Sequence, residues 1–460
     1  MRAAEKFPLW GQILYSSGYV GITISDRIWV TFMLYFYLPP AETGMPELIS
    51  NKTFLGIFTV VGLVTIFGRL VDSIFDPIVA TWSDRSSSRF GRRRIFLIIG
   101  GLPLMISTVL LFFPPSGEAS TVNALYMALM LGLLLFFFTY YAVPWLALIP
   151  ELSHTDRERV NIVTMQAVFS LLGVIIVMIV GYLVWGAIEK SGVDKGTALQ
   201  YTILILGVIG LLSLYLTIIP IDEKRYCESI PSKVGLFDSI KLTFSNKPFL
   251  SYLFGTICLW FALNTVSQTA TYYVTVLLHK EEAFATVVFG SVFGVALIFF
   301  PIINIMCRSI AKRTIMITGL AIFAVCNFLI YFLGTDILIL PPITQAFVIF
   351  GLIGIPVSVL LIIPNAMISD LAEYDTIQTG SRREGMYFGA QGLVQKINLG
   401  ISTLILGFLF SAFGKDIAQP MGVKLSGPVA AIVCLIGIII FYMYPEKEIM
   451  DALEEKRSRE

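Results

Sequence analysis

Residues 68–77 place three ionisable side chains at helical spacing inside an apolar stretch. The segment reads Gly68-Arg69-Leu70-Val71-Asp72-Ser73-Ile74-Phe75-Asp76-Pro77. Because spacings of three and four return to one face of a helix, Arg69, Asp72 and Asp76 share one stripe. Two carboxylates one turn apart repel each other unless a proton or a cation lies between them. Oxygen ligands bind hard cations, so Asp72 and Asp76 form a candidate metal-ion site that could exchange H⁺ for Na⁺, with Ser73 or Thr139 completing the shell.

The composition predicts a membrane protein around this stripe. Of 460 residues, 56% are hydrophobic and only 14% are charged, and the mean hydropathy is +0.82. A helix needs about 20 mostly apolar residues to cross a bilayer. Twelve runs qualify, near 12–38, 55–81, 94–114, 123–150, 160–187, 200–220, 247–278, 285–307, 314–334, 338–368, 384–414 and 425–446. The fold class predicted is therefore an all-α membrane protein with twelve transmembrane helices.

The longest polar stretch divides the chain into two six-helix halves. We predict an N-terminal bundle over 1–220, a cytoplasmic linker over 221–246, a C-terminal bundle over 247–446 and a cytoplasmic tail over 447–460. A faint internal repeat supports the division. Arg92-Arg93-Arg94 follow the second run, and Arg308 with Lys312-Arg313 follow the eighth.

The basic residues predict the orientation of the helices. Most of the 32 lysines and arginines fall in the segments that share a side with both termini. The opposite loops hold only Lys52, Lys190, Lys195, Lys280, Lys415 and Lys424. Because cytoplasmic loops carry an excess of Lys and Arg, both termini are predicted to be cytoplasmic.

Several classes of protein are excluded or disfavoured by composition. A formal net charge of +1 gives no overall field that would attract nucleic acid. The five cysteines show no CxxC spacing, which disfavours disulfides and zinc, and two histidines are too few for an HExxH zinc site. An intramembrane Mg²⁺-diphosphate enzyme would need a second acidic motif, and Asp370 and Asp375 have the wrong spacing for one face. We therefore predict no enzyme activity and no cofactor.

Charged residues elsewhere in the runs need partners, because each costs at least about 2.5–3.5 kcal/mol at the bilayer centre. In the first run, Asp26 is predicted to face a cavity and Arg27 to pair with a carboxylate. Lys396, in the polar patch that includes Gln391, needs a carboxylate, for which the acids of the second run are candidates. An alternative is buried scaffolding, in which Arg69 neutralises Asp72 and Lys396 neutralises Asp76.

Aromatic and amide side chains could also line a cavity. Tyr141 and Trp145, near the end of the fourth run, could stack on a ligand or belong to an interfacial aromatic belt. Asn264 and Gln268, one turn apart in the seventh run, could line the same cavity or hold helices together.

Several segments resemble the glycoside-pentoside-hexuronide:cation symporters, the melibiose permease family within the major facilitator superfamily. The first runs from Gly68 through Asp76-Pro77 to the loop Ser83-Asp84-Arg85-Ser86-Ser87-Ser88-Arg89-Phe90-Gly91-Arg92-Arg93-Arg94. The loop is also similar to that of sucrose transporters. The others are Pro144 to Arg159, Asp370-Leu371-Ala372-Glu373-Tyr374-Asp375 with Thr379-Gly380, and Arg383-Glu384-Gly385 leading to Lys396. The resemblance covers nearly the whole chain.

This resemblance implies roles for individual residues. It implies that Asp72 and Asp76 bind the coupling cation with help from Thr139. It implies that Lys396 lies near both the cation and the substrate, and that Asp26 contacts a sugar. The substrate-binding set predicted from both arguments comprises Asp26, Lys396, Gln391, Tyr141 and Trp145.

Three departures from the family pattern bear on the substrate and the ion. Ala142 stands where melibiose permease has a second sugar-binding aspartate. Gln166 or Ala167 stands where it has an arginine, and Phe75 stands where it has a polar residue. Some relatives carry lysolipids with sodium, so a non-sugar substrate stays open. The coupling ion is left as Na⁺ or H⁺, with Li⁺ as a further possibility.

Acidic and basic residues in the predicted cytoplasmic loops are candidates for gates. They are Asp84, Arg85, Arg92, Arg157, Asp370, Glu373 and Arg383. Basic residues alone would also serve topology and attract lipid headgroups.

The function predicted is cation-coupled symport of a small solute, a sugar, glycoside or uronide, by alternating access. A sodium-coupled lysolipid symporter and a membrane sensor without transport are the alternatives. The predicted partners are the solute and the lipid bilayer, without nucleic acid. The protein is expected to be a monomer in the cell membrane, the inner membrane if the source is bacterial.

Overall fold

The computed structural model describes residues 6–50, 59–86, 88–153, 156–227, 246–307, 309–379 and 384–459. The chain folds into two compact units. One comprises the chain up to residue 231 together with 281–286, and the other comprises the remainder.

The first unit is a bundle of helices. They are α1 (Leu9–Tyr37), α2 (Val60–Arg85), α3 (Arg94–Leu110), α4 (Thr121–Ala147), α5 (Ile149–Leu152), α6 (Asp156–Ile175), α7 (Gly181–Lys190), α8 (Lys195–Leu216) and α9 (Glu223–Tyr226). A π-helical turn over Ile176–Val180 joins α6 to α7, and Ala41–Thr43 form a 3₁₀ turn. Helix α1 packs on α6 and α8, while α4 packs on α2 and α3.

The second unit is also a helical bundle. It contains α10 (Lys247–Tyr272), α11 (Ala285–Met306), α12 (Lys312–Ile330), α13 (Pro342–Thr379), α14 (Glu384–Phe413), α15 (Met421–Tyr442) and α16 (Glu446–Arg459). A π-helical turn, Tyr273–Leu277, extends α10. Helix α15 packs on α10, α12 and α14. The segment predicted as a tail forms α16, which packs on α13 and buries Ile449 and Leu453.

A helix overlaps each of the apolar runs found in the sequence. Among the described residues, nine helical segments are long and apolar enough to cross a membrane. Helices α1 and α2 are absent from that set although they have 29 and 26 residues, since α1 carries Asp26-Arg27 and α2 carries three charged side chains within its apolar part. Helix α3 is apolar and only slightly shorter than the others.

One helix is longer than the sequence predicted. Helix α13 continues beyond residue 368 and includes Asp370 and Asp375, which were expected in a loop. Its two internal prolines, Pro356 and Pro364, do not end it. The acidic residues therefore lie on a helix, where their spacing fixes which of them share a face.

Polar side chains begin several of the helices. The side chains of Thr59, Ser120, Asp194 and Asn246 accept hydrogen bonds from backbone N–H groups in the first turns of α2, α4, α8 and α10. The first N–H groups of a helix have no partner within the helix, so each cap satisfies donors that would otherwise be lost.

A glutamate from a distant segment caps one helix in each unit. The Glu223 carboxylate accepts from the backbone N–H groups of Arg92, Arg93 and Arg94 at 2.8, 2.8 and 2.6 Å. In the second unit, the Glu446 carboxylate accepts from those of Lys312 and Arg313 at 2.6 and 2.9 Å. These carboxylate caps lie at the starts of α3 and α12, the two helices that follow the basic loops of the faint sequence repeat.

Replacing Glu223 by alanine should destabilise the protein. The variant leaves three helix N–H groups without their acceptor and removes a negative charge from a helix N-terminus, a loss of about 1–2 kcal/mol. Thermal unfolding of the purified protein in detergent should show a lower midpoint for Glu223→Ala and, to a smaller extent, for Glu446→Ala. Glu118→Ala, in an exposed loop, is the control. Equal midpoints for Glu223→Ala and Glu118→Ala would contradict the capping role.

Candidate functional site

Helices α2 and α4 bring the predicted cation ligands together. Thr139 Oγ1 donates a hydrogen bond to Asp72 Oδ1, and its distance to Asp76 Oδ1 is 3.0 Å. Asp72 is 0% exposed and Thr139 is 1% exposed. The one-turn spacing on α2 and the packing of α4 along α2 account for this arrangement, in which two carboxylates meet at one hydroxyl.

A single hydroxyl cannot satisfy two ionised carboxylates. Threonine has one hydrogen to donate, and an ionised carboxylate can only accept. Both contacts are satisfied when one acid carries a proton, or when a cation binds among the three oxygens. Among the described residues, no group of three or more His, Cys, Asp or Glu side chains is placed to hold a metal ion. Asp72, Asp76 and Thr139 present carboxylate and hydroxyl oxygens, the ligand type that hard cations prefer.

Arg69 connects this site to α1. Its Nη1 donates to Asp72 Oδ2 at 3.3 Å, and its Nη2 lies 3.7 Å from Asp26 Oδ1. Its guanidinium carbon also lies 4.7 Å from the ring centroid of Trp29. Arg69 of the stripe thus reaches α1, and the Arg69–Asp72 pair of the scaffolding alternative is present.

Asp26 is paired with its own neighbour. Arg27 folds back along α1, and its Nη2 and Nε donate to Asp26 Oδ2 at 2.6 and 3.0 Å. The Asp26 side chain keeps 21% of its surface exposed, in contrast to the buried Asp72. Asp26 is therefore more accessible than Asp72, and its cavity-facing role stays a prediction.

Tyr141 and Trp145 lie in the core of the first unit. Both are 0% exposed. The Tyr141 hydroxyl donates to the Leu214 carbonyl at 2.8 Å, and Trp145 Nε1 donates to Thr217 Oγ1 at 3.3 Å. The Trp145 ring also packs against Tyr15. Neither ring has a face free to stack on a ligand, because Tyr141 lies against α8 and Trp145 lies against α1.

The predicted substrate residues of the second unit lie on α14. Gln391 Oε1 accepts a hydrogen bond from the Tyr252 hydroxyl at 2.6 Å. Lys396 is half-buried on the same helix. Gln268 of α10 forms hydrogen bonds with Ser402 and Thr403 of α14. It therefore holds these two helices together, which was one of the two predicted roles for this residue.

Ion pairs lie near both carboxylate caps. Arg92 pairs with Glu151, and Arg93 Nη1 lies 3.2 Å from the same carboxylate. In the second unit, Lys312 pairs with Asp370. Each pair lies within one unit, so the described contacts of Arg92 and Asp370 stabilise their own bundles.

The remaining gate candidates are described in part. Arg85 is exposed at the end of α2, and Glu373 is half-buried on α13. The side chains of Asp84 and Arg157 and the whole of Arg383 lie outside the described residues. The gating role of this set stays a prediction.

Sequence reasoning did not identify Trp29. Its position three residues after Asp26 places both on one face of α1, and that spacing could have indicated it. Glu223 and Glu446 were missed as well, since their acceptor role depends on tertiary contacts.

Comparisons with known proteins agree with this architecture. A family model described as MFS/sugar transport protein matches residues 14–445. An uncharacterized symporter of Bacillus subtilis, YnaJ, is 24% identical over 99% of this chain and 96% of its own length. The glucuronide carrier protein homolog of Escherichia coli is 22% identical, with 95% of this chain and 92% of that protein covered.

A solved structure has a similar fold. It is the inward-facing, unoccupied form of a bacterial homolog to the human lysosomal transporter Spinster. The TM-score is 0.68 with 12% identity, over 98% of this chain and 99% of that one. At such identity the likeness concerns the fold alone.

Trp145→Ala should unfold the first unit more easily. Removing a fully buried indole leaves a cavity, at a cost of about 3–5 kcal/mol. Trp82→Ala, at a 49% exposed position on α2, should change the unfolding free energy by less than about 0.5 kcal/mol. Chemical unfolding in detergent measures both. A Trp145→Ala variant as stable as Trp82→Ala would show that Trp145 is not a core residue.

Proposed function

The chain belongs to the MFS/sugar transport family, and on this premise we propose that it is a cation-coupled symporter. Family membership makes it a multi-pass membrane transporter of small solutes rather than an enzyme, with an all-helical major facilitator fold. It also confirms the resemblance to glycoside-pentoside-hexuronide symporters. The coupling ion, the solute and the count of twelve spans with cytoplasmic termini are parts of the proposal.

The observation that carries the proposal is the shared contact of Thr139 with Asp72 and Asp76. Arg69 pairs with Asp72, and in this proposal a proton or Na⁺ supplies the further positive charge with which both acids share one hydroxyl. Asp72 is buried, so this charge must be desolvated to reach it. Such a site responds strongly to ion occupancy, which is what coupling requires.

The electrostatic balance of the first unit supports a monovalent ion. The first unit contributes three carboxylates to the site, those of Asp26, Asp72 and Asp76. It also contributes two guanidinium groups, those of Arg27 and Arg69. One monovalent cation or proton would neutralise this set. In the proposed cycle, the protein changes the side to which its site opens when both ion and solute are bound or when both are absent, since an unbalanced buried charge is costly.

We propose a sugar or glycoside as the solute, with Asp26 as a hydrogen-bond acceptor for its hydroxyl groups. Gln166 is 3% exposed, and its Nε2 lacks a hydrogen-bond partner among the described residues. By the family resemblance, an arginine would stand at or beside this position. A neutral amide donor favours an uncharged glycoside over a uronide. Binding of a lysolipid is an alternative outcome of the ligand panel described below.

Asp72→Asn and Asp76→Asn should each abolish ion-dependent uptake. Each removes one negative charge at nearly constant volume, so the ion loses its main attraction. Thr139→Val should weaken ion binding about tenfold, while Thr139→Ser retains the hydroxyl and should bind normally. Calorimetric titration with NaCl, and uptake into proteoliposomes at several pH values, measure these effects. Asp451→Asn, on the exposed face of α16, is the control. Unchanged ion dependence in both acid variants would exclude this site.

A ligand panel should identify the solute. Thermal stabilisation of the purified protein is measured with sugars, neutral glycosides, uronates and lysolipids, each in Na⁺, Li⁺ or K⁺ and at two pH values. We expect neutral glycosides to stabilise the protein, and only with the coupling ion present. Stabilisation by lysolipids alone would replace the sugar assignment and keep the ion site. No response to any solute would favour a sensor or another substrate class.

A further inference from the structure

Trp29 forms one wall of the Arg69 site. Trp29 is 2% exposed, and its ring centroid lies 4.7 Å from the guanidinium carbon of Arg69. Its Nε1 has no hydrogen-bond partner among the described residues. The N–H edge of the indole therefore makes no described hydrogen bond, and the ring face contacts the Arg69 cation instead. An aliphatic side chain would fill the same volume without attracting Arg69.

The guanidinium of Arg69 lies between two carboxylates and is hydrogen-bonded to only one of them. Its 3.3 Å distance to Asp72 is within hydrogen-bonding range, whereas its 3.7 Å distance to Asp26 is an ion pair without a hydrogen bond. Trp29 and Asp26 share one face of α1, three residues apart. Arg69 is thus bonded to the ion site on α2, while a second carboxylate and its aromatic contact both lie on α1.

An ion at Asp72 and Asp76 must compete with Arg69. Both are attracted to the Asp72 carboxylate, so ion binding weakens the Arg69–Asp72 hydrogen bond. A cation–π contact has little directional preference across the ring face, so the indole tolerates a shift of the guanidinium towards Asp26. Its attraction for Arg69 also rises when a carboxylate no longer neutralises the guanidinium.

We propose that Trp29 is a positioning residue that supports Arg69 as it exchanges Asp72 for Asp26 when the coupling ion binds. This inference rests on the proposed function, and it adds a way in which ion binding affects the solute-binding acid, Asp26. Ion occupancy strengthens the Arg69–Asp26 pair and so fixes the orientation of the acid assigned to the solute. Trp29 acts through Arg69 and touches neither ligand.

The first test compares ion affinity in Trp29 variants of the full-length protein. Trp29→Leu removes the ring, so the displaced guanidinium loses the part of the attraction that grows when Asp72 is exchanged for Asp26, and Na⁺ binding should weaken about fivefold. Trp29→Phe keeps a ring face and should stay within about threefold of the wild type. Titration calorimetry measures both, and unfolding midpoints establish that both variants are folded. Trp82→Leu is the matched control on α2.

The second test detects the exchange itself. Fluorotryptophan is incorporated, and the Trp29 resonance is assigned by its loss in Trp29→Phe. Titration with NaCl, LiCl or acid, at constant ionic strength with choline chloride, should shift this resonance with the midpoint found by calorimetry. The Trp82 resonance should stay in place, and the shift should vanish in the Asp72→Asn, Asp76→Asn double variant.

The outcomes separate the two proposals. Ion binding with an unmoved Trp29 resonance, or with equal affinities in Trp29→Leu and Trp29→Phe, overturns the role of Trp29 and leaves the symporter intact. Absence of any Na⁺, Li⁺ or proton binding in the wild type overturns both.

Discussion

Charge that is buried away from water must be balanced, and this requirement determines how α1, α2 and α4 meet. Asp72 has no exposed surface, so its charge is met by Arg69 from the previous turn of α2 and by the Thr139 hydroxyl of α4. Arg69 in turn lies against Trp29 and Asp26 of α1. Three helices are thus held at one point by contacts that each depend on the others. A change of one charge there alters all of them, which is why such a point suits ion coupling.

The two units reach similar solutions with different residues. Glu223 and Glu446 cap α3 and α12, and the pairs Arg92–Glu151 and Lys312–Asp370 lie beside those caps. A second correspondence involves two buried amides, one at the start of each of the next helices, α4 and α13. The Asn123 side chain donates to the carbonyls of Leu48, Ser116 and Glu118, and the Gln345 side chain donates to those of Thr335, Leu338 and Leu340. The two halves therefore repeat hydrogen-bonding roles, although different residues fill them.

Much of the fold and part of the site could be predicted from sequence. Apolar runs predicted every long helix in the described part of the chain, because backbone groups in a bilayer must bond within their own helix. The spacing of Arg69, Asp72 and Asp76 predicted one stripe, since a helix fixes which residues share a face. The burial of Tyr141 and Trp145 could not be predicted, because an aromatic residue in an apolar run fits a core and a cavity equally well. The extension of α13 to Thr379 was missed because a polar helix end resembles a loop in composition.

The Glu223 cap has a consequence for biosynthesis. Glu223 lies 130 residues after Arg93, and Glu446 lies 134 residues after Lys312. At ordinary rates of translation, the start of α3 waits on the order of ten seconds for its acceptor. Helix α3 is therefore made long before the acceptor for its first N–H groups, and it gains this anchor only when Glu223 has been added. A nascent chain that stops before residue 223 lacks this closing contact.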